Sequence, residues 1–294
     1  TAVAGAGIEL SFVADWLAAG AEPMNAGDID AHALATIVYT SGTTGRPKGV
    51  MLSHYNILSN AEAVLQLVPA YREDLFLSFL PLSHTFERTV GYYLPIMTGS
   101  TVAYARSAQE LAQDLLDIRP TLLVSVPRIY DRAYARVQQG LEKKGFAARA
   151  LFAWAENIGW SRFETAQGRG APPGPLANLS WPLLRRLVAD KLLARFGGRL
   201  RLAISGGAPL SPKLARCFIG LGMPLLQGYG LTEAAPIVSG NQVEDNVPDS
   251  VGVALPGIEI KLAGQDELLV RGPNVMLGYW NRPQDTREAI DVDG

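Results

Sequence analysis

The segment from Val38 to Gly49 carries the residue types and spacing best suited to binding phosphate. It reads Val-Tyr-Thr-Ser-Gly-Thr-Thr-Gly-Arg-Pro-Lys-Gly. Glycines let backbone N–H groups approach phosphate oxygens closely, hydroxyl side chains add donors, and the lysine adds a compact positive charge. The residues of this candidate phosphate loop are Thr40, Ser41, Gly42, Thr43, Thr44, Gly45 and Lys48.

The same segment departs from the Walker A pattern of P-loop NTPases. That pattern requires a glycine directly before the lysine and a serine or threonine directly after it. Here Pro47 precedes Lys48 and Gly49 follows it. The sequence therefore excludes an ordinary P-loop NTPase. A surface turn rich in Gly, Ser and Thr is the other interpretation, and the length of the pattern disfavours it.

Strands and helices are predicted to alternate around this loop. A β-branched, apolar run leads into the loop, so the loop should follow a strand. Because helices separate the strands, the sheet should be largely parallel. The predicted strands are 36–40, 75–80, 101–104 and 122–126, and the predicted helices lie around 56–68 and 108–117.

The stretch from residue 127 to 196 is predicted to be mostly helical, with a loop at 168–175. Its first part has apolar residues at every fourth position, as on one face of a helix. These residues are Ile129, Ala133, Val137 and Leu141. A second helix should bury Leu184, Leu187, Val188, Leu192 and Phe196 and expose Arg185, Arg186, Asp190 and Arg195.

Another α/β unit is predicted beyond this helical stretch. Ser211-Pro212 suits the N-cap and first position of a helix. The predicted strands around it are 200–204 and 225–226, and shorter strands at 258–262 and 267–270 follow among Gly and Pro turns. The predicted organisation is a connecting segment at 1–35 with a short helix around 12–19, an α/β body at 36–240, and a truncated β-rich subdomain at 241–294.

The composition of the 294 residues, 48% hydrophobic and 18% charged, is that of a globular protein. A formal net charge of -2 disfavours nucleic acid as an obligatory partner. The single cysteine, Cys217, excludes an intrachain disulfide and a multi-cysteine metal site, and its apolar neighbours predict a buried thiol. Since neither a membrane-spanning apolar run nor a basic leader is found, we expect a cytoplasmic protein.

Positive charge is concentrated in residues 128–201. This segment holds 14 Lys and Arg against 5 Asp and Glu, a net of +9, so the remaining residues carry a net of −11. A solvated helix face is the simplest interpretation. The alternatives are peripheral contact with an anionic membrane surface and attraction of the phosphates of CoA.

The candidate phosphate loop resembles the signature loop of the adenylate-forming superfamily, which includes acyl-CoA synthetases, luciferases and peptide-synthetase adenylation domains. Other segments resemble this family's motifs and follow in the family's order. They are 80–88 (Leu-Pro-Leu-Ser-His-Thr-Phe-Glu-Arg), 126–130 (Val-Pro-Arg-Ile-Tyr), 205–209 (Ser-Gly-Gly-Ala-Pro), 227–233 (Gln-Gly-Tyr-Gly-Leu-Thr-Glu) and 267–280. The forms at 80–88 and 126–130 are typical of long-chain fatty acyl-CoA synthetases.

The resemblance implies an α/β fold, that of an adenylate-forming enzyme N-terminal domain. Mixed, mostly parallel sheets would be flanked by helices, with a small β-rich subdomain at the C-terminal end. The implied activity is a long-chain fatty acid–CoA ligase that uses ATP, Mg²⁺ and CoA. An acyl–carrier-protein ligase, another carboxylate-activating enzyme and a non-catalytic binding module remain alternatives.

The resemblance also implies roles for the phosphate-binding residues. Thr40–Gly45 and Lys48 would hold the β- and γ-phosphates of ATP. Thr232 would donate to the α-phosphate, and Glu233 would bind Mg²⁺, which prefers hard oxygen ligands. Taken alone, Glu233 would more often be a surface acid, so its role depends on the surrounding motif.

The adenine and acyl parts of the site are implied in the same way. Tyr229 would stack on adenine, and His84 would lie beside the reacting carboxylate. Either residue alone would more often be structural. The remaining residues of the predicted nucleotide site are Gly207, Ala208, Pro209, Gln227, Gly228 and Gly230. Glu87 and Arg88 receive no role and could pair with each other.

The family pattern continues beyond Gly294. It proceeds to an aspartate that holds the ribose and to a mobile C-terminal lid domain with a catalytic lysine, and neither is in this chain. The family's usual N-terminal portion is also short here. We therefore expect a fragment that binds nucleotide weakly and does not complete thioester formation.

Overall fold

The computed structural model describes residues 27–40 and 46–294. The helix predicted around residues 12–19 and the loop residues Ser41, Gly42, Thr43, Thr44 and Gly45 lie outside the described residues. Among the described helices, none is both long and apolar enough to cross a bilayer.

The described strands and helices agree closely with the alternation expected from the sequence. The strands are β1 (Leu34–Thr40), β2 (Lys48–Ser53), β3 (Leu75–Ser78), β4 (Thr101–Tyr104), β5 (Leu122–Ser125), β6 (Leu202–Ser205), β7 (Leu225–Gly230), β8 (Ile237–Gly240), β9 (Val253–Ala254), β10 (Glu259–Leu262), β11 (Leu268–Arg271) and β12 (Gly278–Tyr279). The helices are α1 (His54–Leu67), α2 (Thr85–Arg88), α3 (Leu94–Thr98), α4 (Leu111–Ile118), α5 (Pro127–Lys144), α6 (Phe146–Ala166), α7 (Pro175–Leu184), α8 (Asp190–Ala194), α9 (Pro212–Gly220) and α10 (Pro283–Ala289). Turns of π-helix at Thr89–Tyr93 and Arg185–Ala189 join α2 to α3 and α7 to α8.

A sheet of seven strands in the order β4-β3-β5-β6-β7-β8-β9 forms the centre of the described residues. The first five strands run parallel, β8 pairs antiparallel with β7, and β9 pairs antiparallel with β8. The prediction of a mixed, mostly parallel sheet flanked by helices is therefore confirmed. The carboxyl ends of the parallel strands meet at one edge, where ligands commonly bind in open α/β sheets.

Both faces of this sheet are buried, which explains why its strands are continuously apolar. Successive side chains of a strand point to opposite faces, so Leu122 and Leu123 join different hydrophobic clusters. One face packs against α4–α9, and the other packs against α1 and the segment of α2 and α3. Cys217 is buried in the helical layer, as predicted, and burial raises the pKa of its thiol to about 12.

The helical stretch between β5 and β6 departs from the prediction at one position. Leu184, Leu192 and Phe196 are buried and Val188 packs against the core, as expected. Leu187 was expected to face inward but is exposed. The turn of π-helix at Arg185–Ala189 widens the helical repeat there, so a constant 3.6-residue period does not describe this segment.

The C-terminal part of the chain forms small antiparallel pairings, as expected for a β-rich region. β10 and β11 form a hairpin, while β12 adds to the β1–β2 hairpin. β9 pairs with β8 of the central sheet. The predicted domain boundary near residue 241 stays a prediction. Strand pairings cross it, since β9 pairs with β8 and β12 pairs with β2.

Candidate active site

The predicted site residues that the structure brings together lie at the carboxyl ends of β3, β6 and β7. A cavity of about 230 Å³ opens there. The predicted residues in its wall are His84, Gly207, Gln227, Gly228, Tyr229, Gly230 and Thr232. They come from three segments of the sequence, and the parallel order β3-β5-β6-β7 places them at one edge of the sheet.

His84 stands where the chain leaves β3 and enters α2. It is the N-cap of α2, and its Nδ1 accepts a hydrogen bond from the backbone N–H of Phe86 at 3.2 Å. A ring nitrogen that accepts is unprotonated, so the proton of a neutral His84 ring is on Nε2. The imidazole is exposed and borders the cavity, which leaves Nε2–H as a donor for a bound oxygen.

Two glycines allow the close approaches that shape the cavity wall. A Cβ at Gly230 would clash with the carbonyl of Pro236, and the N–H of Leu231 donates to that same carbonyl at 2.9 Å. A Cβ at Gly206 would lie 2.8 Å from the ring of Phe86. Side chains at either position would push the walls apart, so both positions favour glycine.

Tyr229 and Gln227 contribute to the wall in different ways. Tyr229 is exposed, so its ring face is available for stacking. The side chain of Gln227 is buried, and its Oε1 accepts from Leu210 N–H at 2.6 Å while its Nε2 donates to the carbonyl of Ser250 at 3.2 Å. Since both polar ends of the amide are used inside the protein, Gln227 positions the loops around the cavity.

Glu233 lies next to the cavity and is held at two points. Its carbonyl accepts from the N–H of Met276 at 2.8 Å, and its Oε1 accepts from the phenol of Tyr279 at 2.8 Å. Burial, and then the contact with Glu233, raises the pKa of Tyr279, so the phenol remains a donor. The segment before Met276 is anchored to α1 by Asn56, whose amide donates to the carbonyl of Val275 at 2.9 Å.

Lys48 lies beside the same tyrosine. Its Nζ is 5.0 Å from the centre of the Tyr279 ring and 3.2 Å from Oδ1 of Asp285. Lys48 and Thr40 are register partners on β2 and β1, at the two ends of the connection that contains the predicted phosphate loop. Lys48 and Glu233 therefore share one neighbour, Tyr279, although 185 residues separate them in the sequence.

The donor set around Glu233 fits a magnesium ion that arrives with a nucleotide. No group of three or more His, Cys, Asp or Glu residues able to hold a metal is present among the described residues. Mg²⁺ commonly binds through one or two carboxylates together with substrate phosphates and water. Oε1 of Glu233 is hydrogen-bonded to Tyr279, and Oε2 has no hydrogen bond within residues 27–40 and 46–294, so it is available as such a ligand.

Other predicted site residues stand apart from the cavity wall. Ala208 and Pro209 are exposed in the loop after β6 and do not line the cavity. Thr40 ends β1 away from the wall, and Ser41–Gly45 lie outside the described residues. Their predicted roles stay predictions.

The structure corrects the expected contact between Glu87 and Arg88. Glu87 is buried and accepts a hydrogen bond from the hydroxyl of Ser78 at 2.6 Å, and its second oxygen has no hydrogen-bond partner in the part of the chain that the structure describes. Arg88 points elsewhere, and its Nε donates to the carbonyl of Leu82 at 2.8 Å. Burial, opposed only in part by Ser78, raises the pKa of Glu87 to about 7.

Sequence reasoning missed Tyr279 and Asp285, which contact Lys48 and Glu233. Tyr279 lies in the segment 267–280 that resembles a family motif, but the motif did not indicate which residues Tyr279 contacts. Asp285 lies on α10 and gave no signal. The apolar part of the cavity wall was also missed; it includes Val64, Leu67, Val68, Leu226, Ile237 and Leu255.

Comparison with known proteins agrees with this geometry. The chain is 36% identical over 262 residues to the long-chain-fatty-acid–CoA ligase FadD15 of Mycobacterium tuberculosis, covering 88% of this chain and 43% of that protein. It is 36% identical over 280 residues to the peroxisomal long chain acyl-CoA synthetase 6 of Arabidopsis thaliana, covering 89% and 38%. The crystal structure of ATP-bound MatB from Rhodopseudomonas palustris superposes with a TM-score of 0.66 at 27% identity, covering 92% of this chain and 46% of that one.

These matches extend over most of this chain, which spans less than half the length of each of the three proteins. The sequence profile described as AMP-binding enzyme matches residues 6–280, which include all the site residues predicted from the sequence. The chain therefore belongs to the AMP-binding enzyme family.

Proposed function

We propose that this chain carries the nucleotide- and acyl-binding body of a long-chain fatty acid–CoA ligase. The observation that carries the proposal is the convergence of His84, Tyr229 and Thr232 on one cavity, with Glu233 and Lys48 beside it around Tyr279. The names of the relatives from Mycobacterium tuberculosis and Arabidopsis thaliana, a fatty-acid–CoA ligase and an acyl-CoA synthetase, support it.

The proposed reaction has two steps. A carboxylate oxygen of the fatty acid attacks the α-phosphorus of ATP, and the bond to pyrophosphate breaks to leave an acyl adenylate. The thiol sulfur of CoA, having lost its proton, then attacks the acyl carbon, and AMP departs with the electron pair of the cleaved C–O bond. No protein nucleophile is required, since the substrate carboxylate supplies the attacking oxygen.

The main difficulty of the first step is the approach of one anion to another. Oriented donors and cations lower this barrier by neutralising charge that develops on phosphate. In the proposal Lys48 and the 40–45 segment bind the β- and γ-phosphates, and Thr232 donates to the α-phosphate. Mg²⁺ would add positive charge at these oxygens, with Glu233 as its ligand. His84, which carries its proton on Nε2, would donate to the fatty acid carboxylate and orient it.

The character of the cavity wall favours a fatty acid over a dicarboxylic acid. The wall combines aliphatic side chains with His84, Thr232 and backbone groups, and it contains no Asp, Glu, Lys or Arg among the described residues. A second carboxylate buried there would have no cation to pair with.

Two alternative functions differ from this proposal in what they do after binding. An acyl–carrier-protein ligase would share this cavity and use a different thiol acceptor. A binding module would bind the ligands without turnover.

Release of pyrophosphate by the intact protein tests the proposal. The assay compares carboxylic acids from short-chain to long-chain, and dicarboxylic acids, in the presence of Mg²⁺ and ATP. We expect the long-chain monocarboxylic acids to give the highest kcat/KM. Thioester formation is then followed with CoA and with an acyl carrier protein. Absence of pyrophosphate release with every acid would reject the enzyme in favour of a binding module.

Substitution of Glu233 tests the site itself. We expect Glu233→Ala to abolish acyl adenylate formation, because the proposed magnesium ligand is lost. Glu62→Ala is the matched control, since Glu62 is an exposed acid on α1 away from the cavity. Near-normal turnover of Glu233→Ala would contradict the assignment.

We also propose a cytoplasmic location for the protein, where ATP and CoA are available.

A further inference from the structure

Four leucines lie exposed along one side of α7 and the turn of π-helix after it. Leu176, Leu179, Leu183 and Leu187 are 72%, 80%, 62% and 39% exposed. Leu176, Leu179 and Leu183 are spaced by three and four residues, as along one face of an α-helix, and Leu187 lies exposed in the π-helical turn that follows. The other face packs into the core through Leu184 and its neighbours. An exposed apolar stripe of this kind marks a surface that another molecule covers.

A groove with basic rims begins where this stripe ends. It consists of two cavities of about 200 and 280 Å³, between α4 and α5 and between α5 and α8. The cations that line these cavities are Arg132, Arg136, Lys144, Lys191 and Arg195. No acidic residue lines either cavity among the described residues, and the floor is made of core side chains such as Leu115 and Phe196.

These five cations have no partner inside the described part of the chain. None of their side chains forms an ion pair, a hydrogen bond or a ring contact within residues 27–40 and 46–294. Asp190, the nearest acid in sequence to Lys191, pairs instead with Arg185 at 3.3 Å. Charges left without partners on a basic helical surface are free to bind external anions.

The stripe and the groove are continuous. Leu187 is the last leucine of the stripe, and it also lines the second cavity together with Lys191 and Arg195. Arg136 and Arg195 line both cavities, so the two cavities share part of their basic lining. We call this combined surface, the four leucines and the five cations, the leucine–arginine face.

We propose that the leucine–arginine face docks this protein on the surface of a bilayer that contains anionic phospholipids. Such a bilayer offers both chemistries that the face requires, since its phosphates pair with unneutralised Arg and Lys and its acyl boundary accepts leucines. A soluble anion would leave the leucines uncovered, and an apolar protein partner would leave the cations unpaired. This docking uses none of the residues of the proposed nucleotide site.

Binding to vesicles tests the proposal with the intact protein. Vesicles of phosphatidylcholine alone are compared with vesicles of phosphatidylcholine and phosphatidylglycerol by co-sedimentation. We expect binding to the anionic vesicles that weakens in high salt, and little binding to the neutral ones. Absence of binding to anionic vesicles, or equal binding to both kinds, overturns the proposal.

Removal of the cations tests which surface binds. The variant carries Arg132→Gln, Arg136→Gln, Lys144→Gln and Arg195→Gln, and we expect at least about a tenfold loss of binding to anionic vesicles. The control removes four exposed cations elsewhere, through Arg72→Gln, Lys261→Gln, Arg282→Gln and Arg287→Gln. An equal loss in the control would show a general charge effect and overturn the assignment of the face.

Removal of the leucines tests the apolar half of the face. We expect Leu176→Ser, Leu179→Ser and Leu183→Ser together to reduce binding about tenfold or more while thermal unfolding is unchanged, since these side chains are exposed. The control is Leu58→Ser, Leu262→Ser and Val292→Ser, which are also exposed. Retained vesicle binding by the leucine variant overturns the proposal. A change in the oligomeric state alone would also overturn it and would show that the face covers a second copy of this chain.

Discussion

Arg201 and the arginines of the leucine–arginine face show two opposite uses of arginine in this protein. Arg201, at the start of β6, donates from Nε to Oδ1 of buried Asp74 at 2.7 Å, makes a second contact with that carboxylate, and lies 4.7 Å from the ring centre of Tyr71. The arginines of the leucine–arginine face make no such contacts within the described residues. Arg201 is used to stabilise the fold, whereas the arginines of the leucine–arginine face remain available to another molecule.

The carboxylate of Asp74 illustrates how the fold uses its charge. Burial alone would raise its pKa, but hydrogen bonds from Arg201, from the N–H of Tyr71 and from the hydroxyl of Thr121 outweigh burial and hold the pKa below its ordinary value. The pair connects the segment before β3 to the starts of β5 and β6. The carboxylate of Asp74 thus accepts hydrogen bonds on both of its oxygens, which marks it as a structural group.

The largest effect on stability is expected from Arg201→Ala. Removing the partly exposed Arg201 leaves the buried carboxylate of Asp74 uncompensated, at a cost of about 3 kcal/mol in the free energy of unfolding. Urea denaturation at neutral pH measures this loss. The matched control is Arg136→Ala on the leucine–arginine face. Equal destabilisation by the two substitutions would erase the contrast between the two uses of arginine.

Glu87 provides a third case, a buried carboxyl that pairs with no cation among the described residues. Its pKa is raised from 4.5 to about 7, so the folded state binds this proton more tightly than the unfolded state. The resulting stabilisation is complete below about pH 4.5 and is lost as the pH rises through about 7. Its size is about 3 kcal/mol, from the difference between the two pKa values.

We therefore expect Glu87→Gln to remove this part of the pH dependence of stability. The amide keeps a partner for Ser78 and never ionises. Between pH 5 and 8, about the window of the raised pKa, the wild-type protein should lose stability while the variant changes less. Chemical denaturation at several pH values measures this, with Glu62→Gln as the exposed control. Parallel pH profiles for the wild type and Glu87→Gln would contradict the prediction.

Tyr279→Phe tests the polar contact at the proposed active site. The ring next to Lys48 is retained, while Glu233 loses the hydrogen bond to its Oε1. The lost interaction is about 1 kcal/mol, which corresponds to about a fivefold fall in kcat/KM for ATP if it positions the carboxylate. The rate is measured against Mg²⁺ concentration, where we expect a higher requirement. An unchanged Mg²⁺ dependence would limit Tyr279 to a packing role.

The smallest effect is expected from paired removal of cations from the leucine–arginine face. Arg136→Gln with Arg195→Gln should change the free energy of unfolding by no more than about 0.5 kcal/mol, because neither side chain has a partner to lose among the described residues. Thermal and urea unfolding measure this. Destabilisation approaching that of Arg201→Ala would mean that these arginines support the fold.

The sequence predicted much of the local structure of this protein. Strand and helix positions followed from periodicity, and Ser211 and Pro212 cap α9 as expected. The phosphate loop and five further motifs in order were sufficient to identify the family, which the profile match at residues 6–280 confirms. These features depend on a few neighbouring residues, so a linear pattern contains the information that determines them.

The partners of individual side chains were decided only by the tertiary structure. Glu87 lies next to Arg88 in sequence, yet the two side chains point to different neighbours. Tyr279 reaches Glu233 because the pairing of β12 with β2 brings distant segments together. Leu187 is exposed because a turn of π-helix interrupts the regular repeat. Side-chain contacts and exposure of this kind depend on long-range packing. A local sequence pattern does not specify which distant residue will lie next to a given side chain.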